Sequence, residues 1–323
     1  MEVSTEQYRY ELLAFGYRAL GSLLESERLV EQIFSVAPSG GNSVGTMFYK
    51  AMSKLCLDVM ATSSRRTLPA QNGPAADPSQ APASPETASI WLEPFPDDLY
   101  PDLRIENEVR YGARESVSLP FIAALQFVSP LERITVILCD TMGWPLDRAA
   151  ELLETSTSNV NGGLDRARAT IAQHYKARLG RIEPPEREKA TVLSLQYLHS
   201  WETANVDELI NRVATGVTLQ IPPSSSWYLG RDAVRQYVGS YALASEARGR
   251  WRLLPRRANG QLAFGVYERD ESGLMYRAHS IQVLTFEGDL VSGIISFANR
   301  SLFPAFRLRS RVIAQGRMIS RDD

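Results

Sequence analysis

The chain has 323 residues, a formal net charge of −2 at pH 7 and a pI near 6.1. It therefore lacks the overall basic charge of a nucleic-acid coat protein or a polybasic membrane binder, and any nucleic-acid role must rest on a local basic surface. Its length allows two or three compact modules, and its 44% hydrophobic and 22% charged residues are ordinary for a globular protein.

The first part of the chain predicts helices. Apolar residues recur at helical spacing from 5 to 36, and Leu20-Gly21-Ser22 interrupts them, which indicates two amphipathic helices. A third helix is predicted from Met47 to Ala61. The segment 69–104 reads as a linker, because its prolines and small polar residues do not propagate a helix or a strand. Within it, the apolar run Ile90 to Pro96 is expected to dock on a neighbouring module.

Helical spacing returns between Ile105 and Tyr175. One long helix, or two joined near Pro120, is expected first, and three shorter helices follow. The link Thr155-Ser156-Thr157 offers a hydroxyl as an N-cap, which is typical of a helix-turn-helix. The predicted segments are 106–127, 131–142, 146–154 and 158–174.

Pro184-Pro185 marks a second boundary, beyond which the pattern changes. Two helices, 187–203 and 206–214, precede a series of strand-like runs with hairpin turns at 272–273 and 288–289. Helices followed by a curved antiparallel sheet form an α+β pattern. The predicted strands are 217–221, 251–258, 262–269, 274–286 and 290–297.

Two stretches resemble extracytoplasmic-function (ECF) sigma factors. The stretch ELLAFGYRALGSLLESERLVEQIF is similar to the first part of sigma region 2, which binds the polymerase clamp. The stretch FIAALQFVSPLERITVILCDTMGWPLDRAAELLETSTSNVNGGLDRARATIA is similar to region 4, the helix-turn-helix that reads the −35 element. Its Gly-Trp turn and its closing Leu164-Asp165-Arg166-Ala167-Arg168 carry the resemblance.

The C-terminal part resembles the SnoaL-like superfamily. The stretch YLHSWETANVDELINRVATGVTLQIPPSSSWYLGRDAVRQYV carries its opening, AHSIQVLTFEGDLVSGIISF its last hairpin, and SLFPAF follows. The resemblances imply a multidomain protein, with all-α sigma-like modules followed by an α+β SnoaL-like cone-shaped barrel. They divide the chain into a region 2-like domain over 1–68, a Pro-rich linker over 69–104, a region 4-like helix-turn-helix domain over 105–182 and a SnoaL-like domain over 187–312.

The sigma resemblance implies core RNA polymerase and promoter DNA as partners. The −10-like strand would meet Phe48, Tyr49, Lys50 and Lys54, although the two aromatic residues are alternatively core. The adjacent Gly162 and Gly163 cost roughly 1 kcal/mol each in a helix and offer no side chain to a base. Phosphates and adenine edges would be bound by the DNA-binding candidates Asn159, Asn161, Arg166, Arg168, Lys176 and Arg178.

The SnoaL resemblance implies an apolar pocket that would take a small apolar ligand. His279, Asp207 and Asp232 are the acid/base candidates, and their alternative roles are a hydrogen-bonded structural histidine and helix caps. The basic run from Arg307 to Arg311 is read as a solvated tail, or as an additional DNA or polymerase contact. The pocket candidates are Tyr197, Trp201, Trp227, Tyr228, His279 and Phe297.

The leading hypothesis is a sigma-factor-like regulator of transcription initiation whose SnoaL-like domain modulates its activity. The rival is a SnoaL-type cyclase, isomerase or hydrolase, or a ligand-binding protein, that keeps the sigma-like helices as a scaffold. A third is a polymerase binder that competes with sigma factors. Two cysteines and three histidines without metal-ligand spacing predict neither a metal nor another cofactor. A polar N-terminus and no apolar run of roughly 20 residues predict a cytoplasmic protein without a membrane partner.

Overall fold

The computed structural model describes residues 5–36, 44–86, 90–100, 116–176, 187–244 and 247–314. They form two compact units. Unit 1 comprises Met1–Asn72, Thr87–Arg181 and Ala258–Gly260, and unit 2 comprises Gly73–Glu86, Ile182–Arg257 and Gln261–Asp323. The described part of the chain contains no helix that is both long and apolar enough to span a membrane.

Seven α-helices build unit 1 in its described part, and their positions confirm the predicted helical periodicity. A π-helical turn, Ile137–Thr141, continues the fifth helix, and a four-residue link joins the last two as a helix-turn-helix. The helices are α1 (Thr5–Leu20), α2 (Leu23–Val36), α3 (Val44–Thr62), α4 (Leu119–Leu125), α5 (Pro130–Val136), α6 (Leu146–Leu152) and α7 (Thr157–Lys176).

The break between α1 and α2 lies at Gly21, as predicted. Gly21 has a φ of +67°, which glycine adopts without steric cost, and its N–H donates to the Tyr17 carbonyl at 2.7 Å. The Ser22 hydroxyl then accepts from the Glu25 N–H at 3.2 Å and so caps the start of α2.

The apolar run Ile90 to Pro96 docks on the helices of unit 1, as predicted. Phe95 is fully buried, with its ring centroid 4.7 Å from that of Tyr17. The Glu93 carboxylate accepts from the Leu24 N–H at 3.0 Å and from the Ser22 hydroxyl at 2.9 Å. A carboxylate is stabilised there by the unpaired N–H groups at the N-terminus of α2.

The structure describes only part of the segment predicted to be helical over 106–127. The described part of 106–127 contains only α4, because Ser118 caps this helix by accepting from the Phe121 N–H and Pro120 occupies its first turn. Residues 106–115 lie outside the described residues.

Arg133 of α5 is buried inside unit 1 without a carboxylate partner among the described residues. Its guanidinium donates to the carbonyls of Ala19, Gln126 and Val128 at 2.7–3.0 Å, and to the Gln126 side-chain oxygen at 2.8 Å. Burial lowers the pKa of Arg133 to about 10. Because Ala19 belongs to α1, one side chain joins a region 2-like helix to the region 4-like helices.

Unit 2 has three α-helices and a seven-stranded sheet in its described part. The strand order is β2-β1-β6-β5-β4-β3, with β7 paired to β5. The elements are α8 (Arg187–Glu202), α9 (Val206–Ile210), β1 (Val213–Gln220), β2 (Trp227–Leu229), α10 (Arg231–Tyr237), β3 (Trp251–Ala258), β4 (Gln261–Arg269), β5 (Met275–Glu287), β6 (Leu290–Phe297) and β7 (Arg311–Ile313).

The structure corrects three details of unit 2. The sheet is mixed rather than antiparallel, because β1 pairs with β6 in parallel. The helix predicted over 206–214 ends at Ile210, and β1 begins at Val213. Arg311 lies in β7, so the expected solvated tail is wrong for this part of the basic run.

Part of the segment read as a linker has its contacts in unit 2. Residues Gly73–Glu86 lie along β2 and the loop before it. The Ala76 N–H donates to the Trp227 carbonyl at 2.7 Å, and the Glu86 N–H donates to the Pro223 carbonyl at 2.8 Å. The outer edge of β2 is therefore covered by this segment.

Candidate functional site

The helix-turn-helix is formed by α6 and α7, and its turn is fixed locally. Glu154 has a φ of +53°, and the Thr155 N–H donates to the Ala150 carbonyl at 3.0 Å. The Ser156 hydroxyl accepts from the Asn159 N–H at 3.2 Å, which satisfies a free N–H at the start of α7. Trp144, from the Gly-Trp turn before α6, is buried against Tyr49, with ring centroids 5.2 Å apart.

Two of the three arginines proposed to bind DNA are ion-paired within the same module. Arg166 Nε lies 2.6 Å from Glu132 Oε1, and Arg168 forms a bidentate pair with Asp140 at 2.7 and 2.9 Å. The Arg166 and Arg168 side chains are 67% and 55% exposed, so both remain accessible to a phosphate. A phosphate would have to compete with these carboxylates.

The amide candidates lie on the exposed N-terminal part of α7. Asn159 and Asn161 are both exposed, and the Asn159 amide donates to the Thr155 hydroxyl at 3.1 Å. Lys176 ends α7, and Arg178 lies outside the described residues.

Gly162 and Gly163 lie where α7 passes α5. A Cβ on Gly163 would meet Glu132 Cγ at 3.5 Å, and one on Gly162 would meet an Arg166 guanidinium nitrogen at 3.4 Å. Both distances are ordinary van der Waals contacts, and neither glycine has a positive φ. Steric crowding therefore does not explain the glycine pair.

The aromatic −10 candidates are core residues, which corrects that part of the predicted site. Phe48 is 1% exposed and contacts the rings of Tyr8 and Phe34. Tyr49 is 4% exposed, and its hydroxyl donates to Glu11 at 2.6 Å. A flipped base stacks on an accessible ring face, which neither residue offers here.

The two lysines of the −10 candidates are exposed. Lys50 Nζ lies 2.6 Å from Glu154 Oε1. Lys54 also carries its charge near Glu154, and the two lysines lower the pKa of the Glu154 carboxyl below its ordinary value. The sequence did not single out Glu154, Glu132 or Asp140, because nothing in the local pattern shows which cation a surface carboxylate will meet.

Three of the pocket candidates of unit 2 share one apolar cluster. Tyr197, Trp201 and Tyr228 are buried there together with Phe264, whose ring stacks on Tyr197 at 5.2 Å. The Tyr197 hydroxyl donates to the buried Gln282 side chain at 3.1 Å. Burial raises the pKa of Tyr197 far above its ordinary value, so the hydroxyl stays protonated.

Trp227 and Phe297 are corrections to the predicted pocket. The Trp227 indole N–H donates to the Gly73 carbonyl at 3.0 Å, and successive residues of a strand point to opposite faces, so it faces away from Tyr228. Phe297 pairs with Ile281, whereas Gln282 pairs with Ser296. It therefore lies on the face of the sheet opposite to Gln282.

His279 adjoins the cluster at a β-bulge, which neighbours Val266 and Tyr267 of β4. Its ring makes an edge contact with Trp251 at 5.0 Å, and Nδ1 lies 3.2 Å from the Ser280 hydroxyl. Burial lowers the pKa of His279, so the imidazole is neutral at pH 7.

The two carboxylate candidates are surface residues. Asp207 forms an ion pair with Arg235, and Asp232 is exposed in the first turn of α10. The cap of α9 is Asn205, which accepts from the Glu208 N–H at 3.0 Å, rather than Asp207. Neither carboxylate can act as an acid or base inside the cluster. The described residues also contain no group of acidic, histidine or cysteine side chains that could hold a metal ion.

Comparison with known proteins identifies the family. No protein-family model matches the chain. The chain is 33% identical over 311 residues to the ECF RNA polymerase sigma factor SigG of two Mycobacterium tuberculosis strains, covering 94% of this chain and 82% of that protein. The chain belongs to the ECF sigma factor family. The prediction of a sigma-factor-like regulator of transcription is therefore confirmed.

A solved structure supports the fold of the sigma factor. The crystal structure of the Mycobacterium tuberculosis ECF sigma factor SigJ has a TM-score of 0.60 and 18% identity, and the match covers 94% of this chain and 98% of that one. This likeness shows a shared fold. The predicted order of sigma-like helices followed by an α+β SnoaL-like domain is confirmed.

Proposed function

We propose that this sigma factor binds core RNA polymerase in the cytoplasm and places α7 in the major groove of promoter DNA. The observation that carries the proposal is the exposure of Asn159 and Asn161 at the N-terminal end of a capped second helix. In helix-turn-helix proteins this end of the recognition helix contacts base edges, and asparagine bonds adenine through two atoms. Arg166 and Arg168 would bind flanking phosphates after leaving their carboxylates.

In the region 2-like helices we propose phosphate contacts rather than base stacking. Lys50 and Lys54 are exposed on α3, whereas the adjacent Phe48 and Tyr49 are buried. A lysine can neutralise the backbone of a melted strand but cannot replace the stacking energy of an extruded base.

Run-off transcription with core polymerase, paired with a pull-down of core enzyme, tests the proposal. Asn161→Ala is expected to weaken recognition of a cognate promoter by about 1–3 kcal/mol, roughly 5- to 150-fold, without affecting core binding. Gln173→Ala, also exposed on α7 but in its C-terminal half, is the matched control and should leave recognition unchanged. Core binding without transcription would contradict the proposal and favour the competitor hypothesis. If the unmodified chain shows neither core binding nor transcription, all sigma-type roles are contradicted.

We also propose that the apolar cluster of unit 2 takes a small apolar ligand that carries one hydrogen-bonding group. Aromatic side chains surround the buried pair of Tyr197 and Gln282, so a ring would stack and a carbonyl or hydroxyl would meet the pair. Acetophenone is a suitable probe in saturation-transfer NMR. Gln282→Leu should weaken its signal, whereas an unchanged signal would contradict this assignment.

A further inference from the structure

The basic residues of unit 2 are concentrated in one stretch. Between Arg248 and Arg311 the sequence contains eleven arginines, no lysine and only five carboxylates, although the whole chain has a net charge of −2. Most of this stretch forms β3, β4, β5 and β6, and its last residue, Arg311, begins β7. Some of these arginines form ion pairs with carboxylates of the same stretch.

The last arginines of the stretch are held on a fixed backbone. Leu308 is 6% exposed and covers Gly265 of β4, where a Cβ would lie only 2.3 Å from a Leu308 methyl carbon. The Tyr267 hydroxyl donates to the Arg309 carbonyl at 2.9 Å, and the Ala278 N–H donates to the Ser310 carbonyl at 2.9 Å. The segment is therefore anchored on both sides of Arg309.

Arg311 lies directly opposite Arg277 in the antiparallel pair of β7 and β5. Residues opposite each other in such a pair present their side chains on the same face, with Cβ atoms about 5 Å apart. Both arginines are exposed. Like charges in this position destabilise a sheet, unless an anion lies between them.

The neighbouring carboxylates only partly compensate this charge. Asp270 Oδ2 lies 3.7 Å from Arg277, and Glu268, the β4 partner of Arg277, bonds to Arg250 at 2.6 Å. Arg309 and Arg311 are exposed and have no ion pair with any described residue. The face therefore has an excess of positive charge.

We propose that Arg277, Arg309 and Arg311 form a phosphate-binding surface on unit 2 that contacts the backbone of duplex DNA. Two arginines whose Cβ atoms lie about 5 Å apart can both reach one phosphate, and the planar fork of arginine bonds phosphate oxygens in pairs. Exposed cations that lack a carboxylate partner have no intramolecular pair to break before they bind. The surface goes beyond the helix-turn-helix and rests on the proposed function only in taking DNA as the partner.

Salt dependence of DNA binding by the full chain tests this surface. Fluorescence anisotropy of a labelled duplex is measured from low to high salt, about 0.05 to 0.3 M, because each neutralised phosphate contributes about 0.9 to the slope of log K against log salt. Arg309→Gln combined with Arg311→Gln is expected to lower the slope by about 0.9–1.8, the lower value if Arg277 alone still neutralises the phosphate that it shares with Arg311. Arg309→Lys with Arg311→Lys keeps both charges and should keep most of the slope.

A matched control removes two arginines that already have partners. Arg28→Gln combined with Arg235→Gln makes the same charge change, but these arginines pair with Glu25 and Asp207. Its slope should remain that of the parent chain. If Arg309→Gln with Arg311→Gln (the patch variant) leaves the slope unchanged, the proposal is overturned. If its slope is unchanged but its binding to core polymerase is lost, the surface binds a protein partner instead.

A separate variant distinguishes this proposal from the proposed function. Arg166→Gln with Arg168→Gln removes the helix-turn-helix arginines and leaves unit 2 intact. If this variant keeps the parent slope while the patch variant loses it, the helix-turn-helix proposal fails and the unit 2 surface stands. If only the helix variant loses slope, the unit 2 surface is overturned.

Discussion

In the proposed DNA complex, Glu132 and Asp140 would compete with DNA for Arg166 and Arg168 of α7. They hold Arg166 and Arg168 at 2.6–2.9 Å, so each phosphate contact requires an ion pair to be exchanged. We predict that Glu132→Gln combined with Asp140→Asn strengthens DNA binding. Both substitutions keep the size of the side chain, and the glutamine amide retains an oxygen that can accept from the Ser129 hydroxyl, which bonds Glu132 at 2.7 Å.

The magnitude follows from the exposure of the pairs. The arginine side chains are more than half exposed, and exposed ion pairs contribute about 0.2–1 kcal/mol each. The bidentate geometry of Arg168 with Asp140 places that pair toward the upper end. Releasing both arginines should therefore strengthen DNA binding by about 1–2 kcal/mol, roughly 5- to 30-fold.

The assay is anisotropy of a promoter duplex titrated with the full chain at fixed salt. The matched control is Glu25→Gln with Glu31→Gln, which removes two carboxylates from ion pairs on α2 and not beside α7. This control should change affinity less than about twofold, the size expected of exposed pairs remote from the DNA. If Glu132→Gln with Asp140→Asn and the control strengthen binding equally, the cause is a general charge effect. If Glu132→Gln with Asp140→Asn weakens binding, the carboxylates position the arginines instead. Either result refutes competition.

Three further predictions test the fold around these sites. Gly162→Ala and Gly163→Ala should each stabilise unit 1 against urea by about 0.5–1 kcal/mol, because alanine fits both positions and favours the helix; a loss of stability would contradict this. Arg133→Met should destabilise unit 1 by about 3 kcal/mol or more in the same measurement, because three buried carbonyls lose their donor, and Arg133→Lys should be intermediate. Half-buried, neutral His279 should make unit 2 less stable as pH falls from 6.5 towards its lowered folded pKa, because mainly the unfolded chain then takes up the proton; thermal unfolding of His279→Asn should lack this dependence.

Much of the helical unit could be predicted because its signals are local. Gly21 ends α1, Ser156 begins α7, and apolar periodicity gives the helices between them. The capped link Thr155-Ser156-Thr157 indicated the helix-turn-helix, and the resemblance of Phe121 to Ala172 to sigma region 4 supported it.

The partners of individual side chains could not be predicted. Phe48 and Tyr49 follow a Gly-rich segment in the sequence, yet they are buried by rings from α1, α2 and the Trp144 turn. The place of Phe297 in a strand predicts a pocket residue, but the register with Ile281 decides which face of the sheet it occupies. Register and tertiary contact are long-range properties that a local pattern does not contain.

The buried polar residues of β5 gave a weak signal that was missed. Ser280 and Gln282 alternate along the strand, and Ser296 lies opposite Gln282 on β6. Polar residues at alternate positions ordinarily indicate the solvent face. Here the Ser296 hydroxyl donates to the Ser280 hydroxyl at 3.0 Å, and His279 Nδ1 lies 3.2 Å from the same Ser280 hydroxyl. The helices that pack on this face, among them α8 through Tyr197, make it internal.

In the proposed DNA complex, the paired cations of unit 1 would contribute little to non-specific binding. Arg166, Arg168 and Lys50 each bond a carboxylate of unit 1, so these cations offer little free charge to attract a phosphate backbone. Non-specific binding depends almost entirely on such charge, whereas base-edge bonds from Asn161 do not. Carboxylates beside the recognition helix therefore weaken binding to all sequences by a similar factor. In the proposed complex, selection among sequences is then left to base contacts, and most of the affinity would come from other surfaces, namely those that bind core polymerase and the phosphate-binding surface proposed on unit 2.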